Sequence, residues 1–277
     1  MNIGLDIAIT LIFFLCGIFI FDANIDKEKI KKAYFNVFGE NYDLDQNVFS
    51  INIANHLSVL ESLYILKTCK CGFIAKKETE NYPVVGFSIK ALEGIFIERE
   101  KKDSRLEAIS DINLRQKEFL NKERLTSLTI YPEGSITNGK YVLPFRRGAF
   151  YALEPIRPFL FIDKSSTMLS PGMVPDHIQL IYYFSFLYNY FYVEHLPIMK
   201  PTEYMFKKYE NHVNQSESKE KYEGFIQACY DIYLELGNLK ATTKGLKESY
   251  EFYYLCRDYK ENQTIKSDNI DECSKKK

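Results

Sequence analysis

An α/β domain with a mixed, largely parallel sheet flanked by helices, preceded by an N-terminal hydrophobic helix, is the fold class this sequence predicts. Three observations predict it. Short runs rich in β-branched and aromatic residues alternate with longer helix-compatible runs, the pattern of repeated strand–helix units. Apolar residues make up 46% of the 277 positions, ample for the core of one large domain. And the stretch "IAITLIFFLCGIFIF", Ile7 to Phe21, carries no charge.

That first stretch is shorter than the roughly 20 residues a spanning helix needs, though Asn2 to Leu5 could extend it past Asp6. It lacks the basic start and small-residue cleavage site of a signal peptide. Lys27, Lys29, Lys31 and Lys32 follow and would hold the rest of the chain on the cytosolic side of a membrane. Residues 1–24 are therefore expected to be a membrane anchor, with a buried core helix as the competing reading. The polar residues 25–46 read as linker plus a short helix, and residues 47–256 as the main domain.

Within that domain "VFSINIANH" alternates into a strand, and Ser58 opens a helix to about Cys69. "CGFIAKK" is the next strand, "YPVVGFSIKAL" a short helix behind a proline, and "GIFIERE" another strand. Asp103 to Arg124 is charged and amphipathic, as a surface helix should be. "LTSLTIYPEG" reads as a buried strand and "TNGK" as a tight turn, because Asn-Gly supplies the positive φ that a two-residue hairpin demands. "GAFYALEP" reads as a helical turn and "IRPFLFID" as a strand. The uncharged segment Gln179 to Val193 reads as one or two buried strands, or as an aromatic surface that meets lipid. Asn189 reads as a break in it that leaves "YFYVEHLPIMKP" as a strand of its own. Residues 257–277 hold few apolar side chains and are expected to be a disordered polar tail.

Composition excludes several classes. The formal net charge is −1, and no basic run with interleaved aromatics appears, so a nucleic-acid partner is not expected. The six cysteines have no framework spacing, and Cys69 and Cys71 lack a matching second pair, so no metal is expected.

Chemistry concentrates at three places. His56 stands at a strand-to-helix junction with Glu61 in the following helical turn. Side chains there reach the carboxyl end of the sheet, where α/β ligand sites form. An imidazole held by a carboxylate can remove a hydroxyl proton, an effect worth roughly 100- to 10,000-fold in rate. Ser58 and Glu61 also have capping-box spacing, so Glu61 could instead only cap the helix. "GIFIER" brings Arg99 to a strand end, a fork suited to phosphate. "YPEGS" adds Glu133, Gly134 and Ser135, with Arg146 and Arg147 close behind.

Taken together, these blocks resemble the glycerolipid acyltransferase superfamily. "NHLSVLE" resembles its N-H-x-S-x-x-D, "GIFIER" its G-x-x-F-I-x-R, "YPEGS" its F-P-E-G-T, and "EPIRPFLFI" its proline-bearing strand. "IYPEGSITNGKYVLPFRRGAF" resembles the lysophospholipid acyltransferases in particular, plant lysophosphatidylethanolamine acyltransferases above all. The departure is Glu61, which stands where the family has Asp; Tyr131 for Phe and Ser135 for Thr are mild.

The resemblance implies an acyl-CoA-dependent lysophospholipid acyltransferase with no cofactor. His56 would be the general base oriented by Glu61. Glu133, Gly134 and Ser135 would meet the acceptor's polar head, Arg99 its phosphate, and Arg146 and Arg147 that phosphate or coenzyme A. Gly134 or a nearby amide would face the oxyanion. Acceptor and product imply a bilayer, expected to be the endoplasmic reticulum with the domain facing the cytosol. Lysophosphatidic acid as acceptor, or a catalytically impaired lipid-binding relative, are the alternatives.

Overall fold

The computed structural model describes residues 3–15, 17–58, 60–81, 83–98, 102–163 and 188–243, with 181, 185, 248, 251 and 255 as isolated positions. Arg99, residues 179–180, 182–184 and 186–187 of the aromatic stretch, and the tail 257–277 lie outside the described residues.

Seven strands form one sheet in the order β1-β8-β7-β2-β5-β3-β4. They are β1 (Ile18–Asp22), β2 (Ile51–Ala54), β3 (Gly72–Lys76), β4 (Ile95–Ile97), β5 (Leu128–Ile130), β7 (Ile156–Asp163) and β8 (Asn189–His195). Every neighbouring pair is parallel except β7 and β8, so the sheet is mixed and largely parallel, as the sequence predicts. β2 is buried at all four residues, as expected of a central strand covered on both faces.

Helix α1 (Ile3–Leu15) and α3 (Leu60–Cys69) cover one face. There Leu60 meets Ile18 and Phe191, with Phe13 packed against them. Ala54, Leu57, Ile65, Phe159, Phe161 and Val193 make a second cluster on this side. The opposite face holds the main core, supplied by α2 (Lys27–Phe38), α5 (Lys102–Leu120) and, once α4 (Pro83–Ala91), α6 (Glu203–Lys208) and α7 (Glu210–Gln215) are counted, α8 (Lys221–Gly237). Tyr233 of α8 donates to the carbonyl of Phe159 at 3.0 Å, fastening that helix to the sheet.

Three expectations need correction. The uncharged stretch Ile7 to Phe21 is not one helix. α1 ends at Leu15, Gly17 turns the chain at φ 60°, and Ile18–Asp22 becomes the edge strand β1. A left-handed φ is cheap only for glycine, and the alternating Ile-Phe-Ile-Phe that follows suits a pleated edge. Among the described residues, no helix is long and apolar enough to cross a membrane. Asp6 of α1 pairs with Lys70 just past α3, which ties the helix to the domain.

Residues 25–46 hold the expected short helix, but it belongs to the core and not to a linker. Ile30, Ala33, Tyr34, Val37 and Phe38 recur at helical spacing and are buried in the main core, so the core begins before residue 47. The Tyr34 hydroxyl donates to the Pro197 carbonyl at 2.6 Å. Finally, the Asn138-Gly139 turn does not close a hairpin. Only Gly139 takes positive φ, and β6 (Tyr141–Val142) pairs in parallel with β9 (Lys240–Ala241).

Candidate active site

β2 and β5 lie side by side and run the same way, so the loops after their carboxyl ends meet. The loop after β2 carries Asn55 and His56. The loop after β5 carries Tyr131, Glu133, Gly134 and Ser135.

Asn55 is 1% exposed and continues the β2–β7 ladder by side chain. Its amide donates to the Phe161 carbonyl, and its oxygen accepts from the Phe161 amide, both at 2.8 Å. The chain can thus leave the sheet at His56 without losing registration with β7. Nothing but its place in "NHLSVLE" marks Asn55 in the sequence.

Glu61 performs both roles that the sequence leaves open. Its Oε1 lies 2.7 Å from His56 Nδ1 and accepts from the amides of Leu57 and Ser58 at 2.8 Å. Its Oε2 accepts from the Ser58 hydroxyl at 2.6 Å, while the Ser58 Oγ accepts from the Leu60 amide at 3.0 Å. That is a capping box whose acidic member also holds the imidazole. The extra methylene of Glu over Asp does not prevent contact. Glu61 is sealed at 0% side-chain exposure, while His56 keeps 19%. With Nδ1 on the carboxylate, Nε2 is the ring nitrogen left to take a proton.

Glu133 is 1% exposed, and its two oxygens accept from the backbone amides of His56 at 3.0 Å and Leu143 at 2.9 Å. It therefore braces the His56 loop against the segment before Arg146. Burial pushes its carboxyl up to about 8, opposed by the two amides and helped slightly by Glu61. The Thr137 amide, donating to the His56 carbonyl at 2.8 Å, adds a second brace.

Gly134 takes φ +73°, and its amide donates to the Tyr131 carbonyl at 3.0 Å, so that N–H is already engaged as a turn closure. A Cβ at this position would lie 3.0 Å from Arg146 Nε, which means the Arg146 side chain crosses directly over the glycine. Arg146 and the turn after β5 thus come together, and the Arg146 amide donates to the Pro132 carbonyl at 2.9 Å. Arg147 opens a short 3₁₀ turn and is exposed. Ser135 follows in the turn, half-buried.

Nothing in the sequence shows that Tyr131 meets His56, yet it stacks on the ring at 4.0 Å between centroids and 13° between planes. Among the described residues no group of three His, Cys, Asp or Glu could hold a metal ion.

An imidazole with one nitrogen on a buried carboxylate and its ring partly open to solvent can abstract a proton. An α/β domain equipped for base chemistry at the carboxyl end of its sheet is the class this defines. Residues 36–161 match the Acyltransferase family model, and among the relatives most similar to the chain are lysophospholipid acyltransferases. The chain is 33% identical over 109 residues to lysophospholipid acyltransferase LPEAT1 of Arabidopsis thaliana, covering 39% of this chain and 27% of that one. It is 28% identical over 178 residues to Arabidopsis thaliana LPEAT2, covering 62% and 31%. With the lysophosphatidylcholine acyltransferase of Drosophila melanogaster the figures are 29% over 154 residues, covering 54% and 28%. The chain thus spans under a third of the length of these relatives. A crystal structure of the LPA acyltransferase PlsC from Thermotoga maritima overlaps 78% of this chain and 80% of that one, with TM-score 0.43 and 20% identity, a likeness too loose to bear on the fold.

Proposed function

We propose that this protein transfers a fatty acyl group from acyl-CoA to the free glycerol hydroxyl of a lysophospholipid. The observation that carries the reading is the 2.7 Å contact between His56 Nδ1 and a fully buried Glu61, with the imidazole itself open to 19%. Glu61 fixes the tautomer and stabilises the imidazolium, so that Nε2 can take the acceptor's hydroxyl proton. The oxygen then attacks the thioester carbonyl, the C–S bond breaks, and the proton passes from His56 to the departing thiolate. Products are the phospholipid and free coenzyme A, with no acyl-enzyme between. Arg146, lying over the Gly134 turn, is the guanidinium best placed for a phosphate of either substrate. Arg99 is assigned to the acceptor phosphate by its motif. A catalytically impaired relative is disfavoured by the tight Glu61 contact.

A membrane location also belongs to this reading. Phe19, Phe21, Tyr188 and Tyr190 are exposed on one face of the β1–β8 edge and touch ring to ring, at 6.0 to 6.5 Å between centroids. β8 runs antiparallel to β7, so β1 and β8 begin at the end of the sheet where β2 delivers His56. An aromatic edge there suits the interfacial zone of a bilayer holding the acceptor.

The test is release of free thiol from acyl-CoA by the purified chain, with a panel of lysophospholipids that includes lysophosphatidic acid. Thiol release with at least one acceptor, abolished in a folded His56→Ala variant, is expected. Silence across the panel, or undiminished release by His56→Ala, would refute the reading.

A further inference from the structure

His56 is held twice. Glu61 holds its edge at Nδ1, and the Tyr131 ring holds its face. The Tyr131 hydroxyl in turn shares a 2.7 Å hydrogen bond with the Ser62 Oγ, the residue after Glu61 in the first turns of α3. Phe73 also lies near-parallel to the Tyr131 ring, at 6.4 Å between centroids and 12° between planes. Edge and face grips are thus anchored to one helical turn. Burial keeps the Tyr131 phenol protonated well beyond its ordinary range, with Glu61 adding to the effect, so it stays a neutral partner for Ser62.

Two of the groups that touch the imidazole stand where the chain departs from the motif pattern it resembles: Glu for Asp at position 61, and Tyr for Phe at position 131. Glu61, one methylene longer than Asp, is fixed by the amides of Leu57 and Ser58 and by the Ser58 hydroxyl, but it meets the ring only at its edge. Tyr adds a hydroxyl that can be tied down, which phenylalanine cannot be. Ser62 supplies the tie from the position next to Glu61.

We propose that Tyr131 and Ser62 form a positioning pair for His56, their hydrogen bond fixing the plane of the imidazole that the longer Glu61 carboxylate holds only by its edge. The pair touches no reacting atom and acts through the histidine. The proposal rests on His56 being the general base.

The experiment is a double-mutant cycle with a spectroscopic arm. Tyr131→Phe and Ser62→Ala each delete one end of the same bond and leave the stack in place. Each should lower kcat by about three- to tenfold, the loss of one ordinary hydrogen bond expressed as a rate, with KM within about twofold. The double variant should be no slower than either single one, because the second deletion removes nothing further. Independently of turnover, the imidazole C–H resonance of His56, assigned with His56→Ala, should move in Tyr131→Leu, which removes the shielding ring. It should broaden or split in Ser62→Ala, which frees the plane.

Wild-type kcat in both single variants, or additive losses in the double, would overturn the proposal. If the wild-type protein transfers no acyl group, the acyl-transfer reading fails and the resonances alone decide. An imidazole signal indifferent to Tyr131→Leu and Ser62→Ala then overturns the pairing as well.

Discussion

Glu133 should make the stability of this protein fall as pH rises through neutrality, and Glu133→Gln should remove that dependence. In the folded protein burial raises this carboxyl from 4.5 to about 8. In the unfolded chain it has the ordinary value. Between those values the folded state retains a proton that the unfolded state has released, so the stability linked to this group falls with rising pH. Its contribution is fully present below about 4.5, declines across the window and is lost above about 8. The window spans about 3.5 pH units (8 − 4.5). At about 1.4 kcal/mol per unit, ionising Glu133 costs the fold about 5 kcal/mol, comparable with the whole stability of many domains. Gln keeps the shape but cannot ionise. Its amide nitrogen also meets one of the two backbone donors, from His56 or Leu143, which should cost about 1–3 kcal/mol at every pH. The two proteins should therefore cross: wild type more stable at pH 5, Glu133→Gln equal or more stable by pH 8. Urea unfolding at intervals from pH 5 to 8.5 measures this directly. Parallel stability curves for the two proteins would refute the reasoning, since every other titrating group is common to both.

The double duty of Glu61 predicts that Glu61→Gln loses kcat by more than a hundredfold and also loses about 1–3 kcal/mol of stability, because a neutral amide replaces a carboxylate accepting from His56, Leu57 and Ser58. Kinetics and melts on one preparation check both halves, and an unchanged melt would remove the capping role. Arg146→Ala should lower kcat/KM by about ten- to a hundredfold for the substrate whose phosphate it meets, with Arg146→Lys recovering only part; comparing acceptor and acyl-CoA titrations identifies which one. Replacing Phe19, Phe21 and Tyr190 together by Ser should weaken sedimentation with phospholipid vesicles, while turnover of short-chain lysolipids in solution persists; undiminished sedimentation would exclude the aromatic edge as the contact.

Much of the site was legible in the residues because it depends on local order. A strand that ends in Asn-His and a helix opened by Ser58 place His56 and Glu61 at a predictable junction, since capping chemistry and strand alternation act over four or five residues. The same holds for the turn after β5, where Pro132, Glu133 and Gly134 force the chain to bend. Hydropathy could not tell that Ile7 to Phe21 divides into α1 and β1. An uncharged run suits a helix or an edge strand equally, and the choice is made by Gly17 together with the partner strand β8, which lies about 170 residues away in sequence. Nor could spacing show that α2 belongs to the core, or that Asn138-Gly139 turns without pairing its flanks.

The direction in which a side chain faces was decided by the tertiary structure alone. Glu133 sits in a motif that suggests a ligand; the amides of His56 and Leu143 both converge on it, and a buried carboxyl turns toward the donors that can satisfy it. Tyr131 reads as a strand residue until β2 and β5 lie side by side and bring its ring onto His56. Residue types, local turns and caps are written in neighbouring positions. The pairing of a ring with a ring, or of a carboxyl with two distant amides, depends on which strands are adjacent in the sheet, and that adjacency is set by burying the core as a whole.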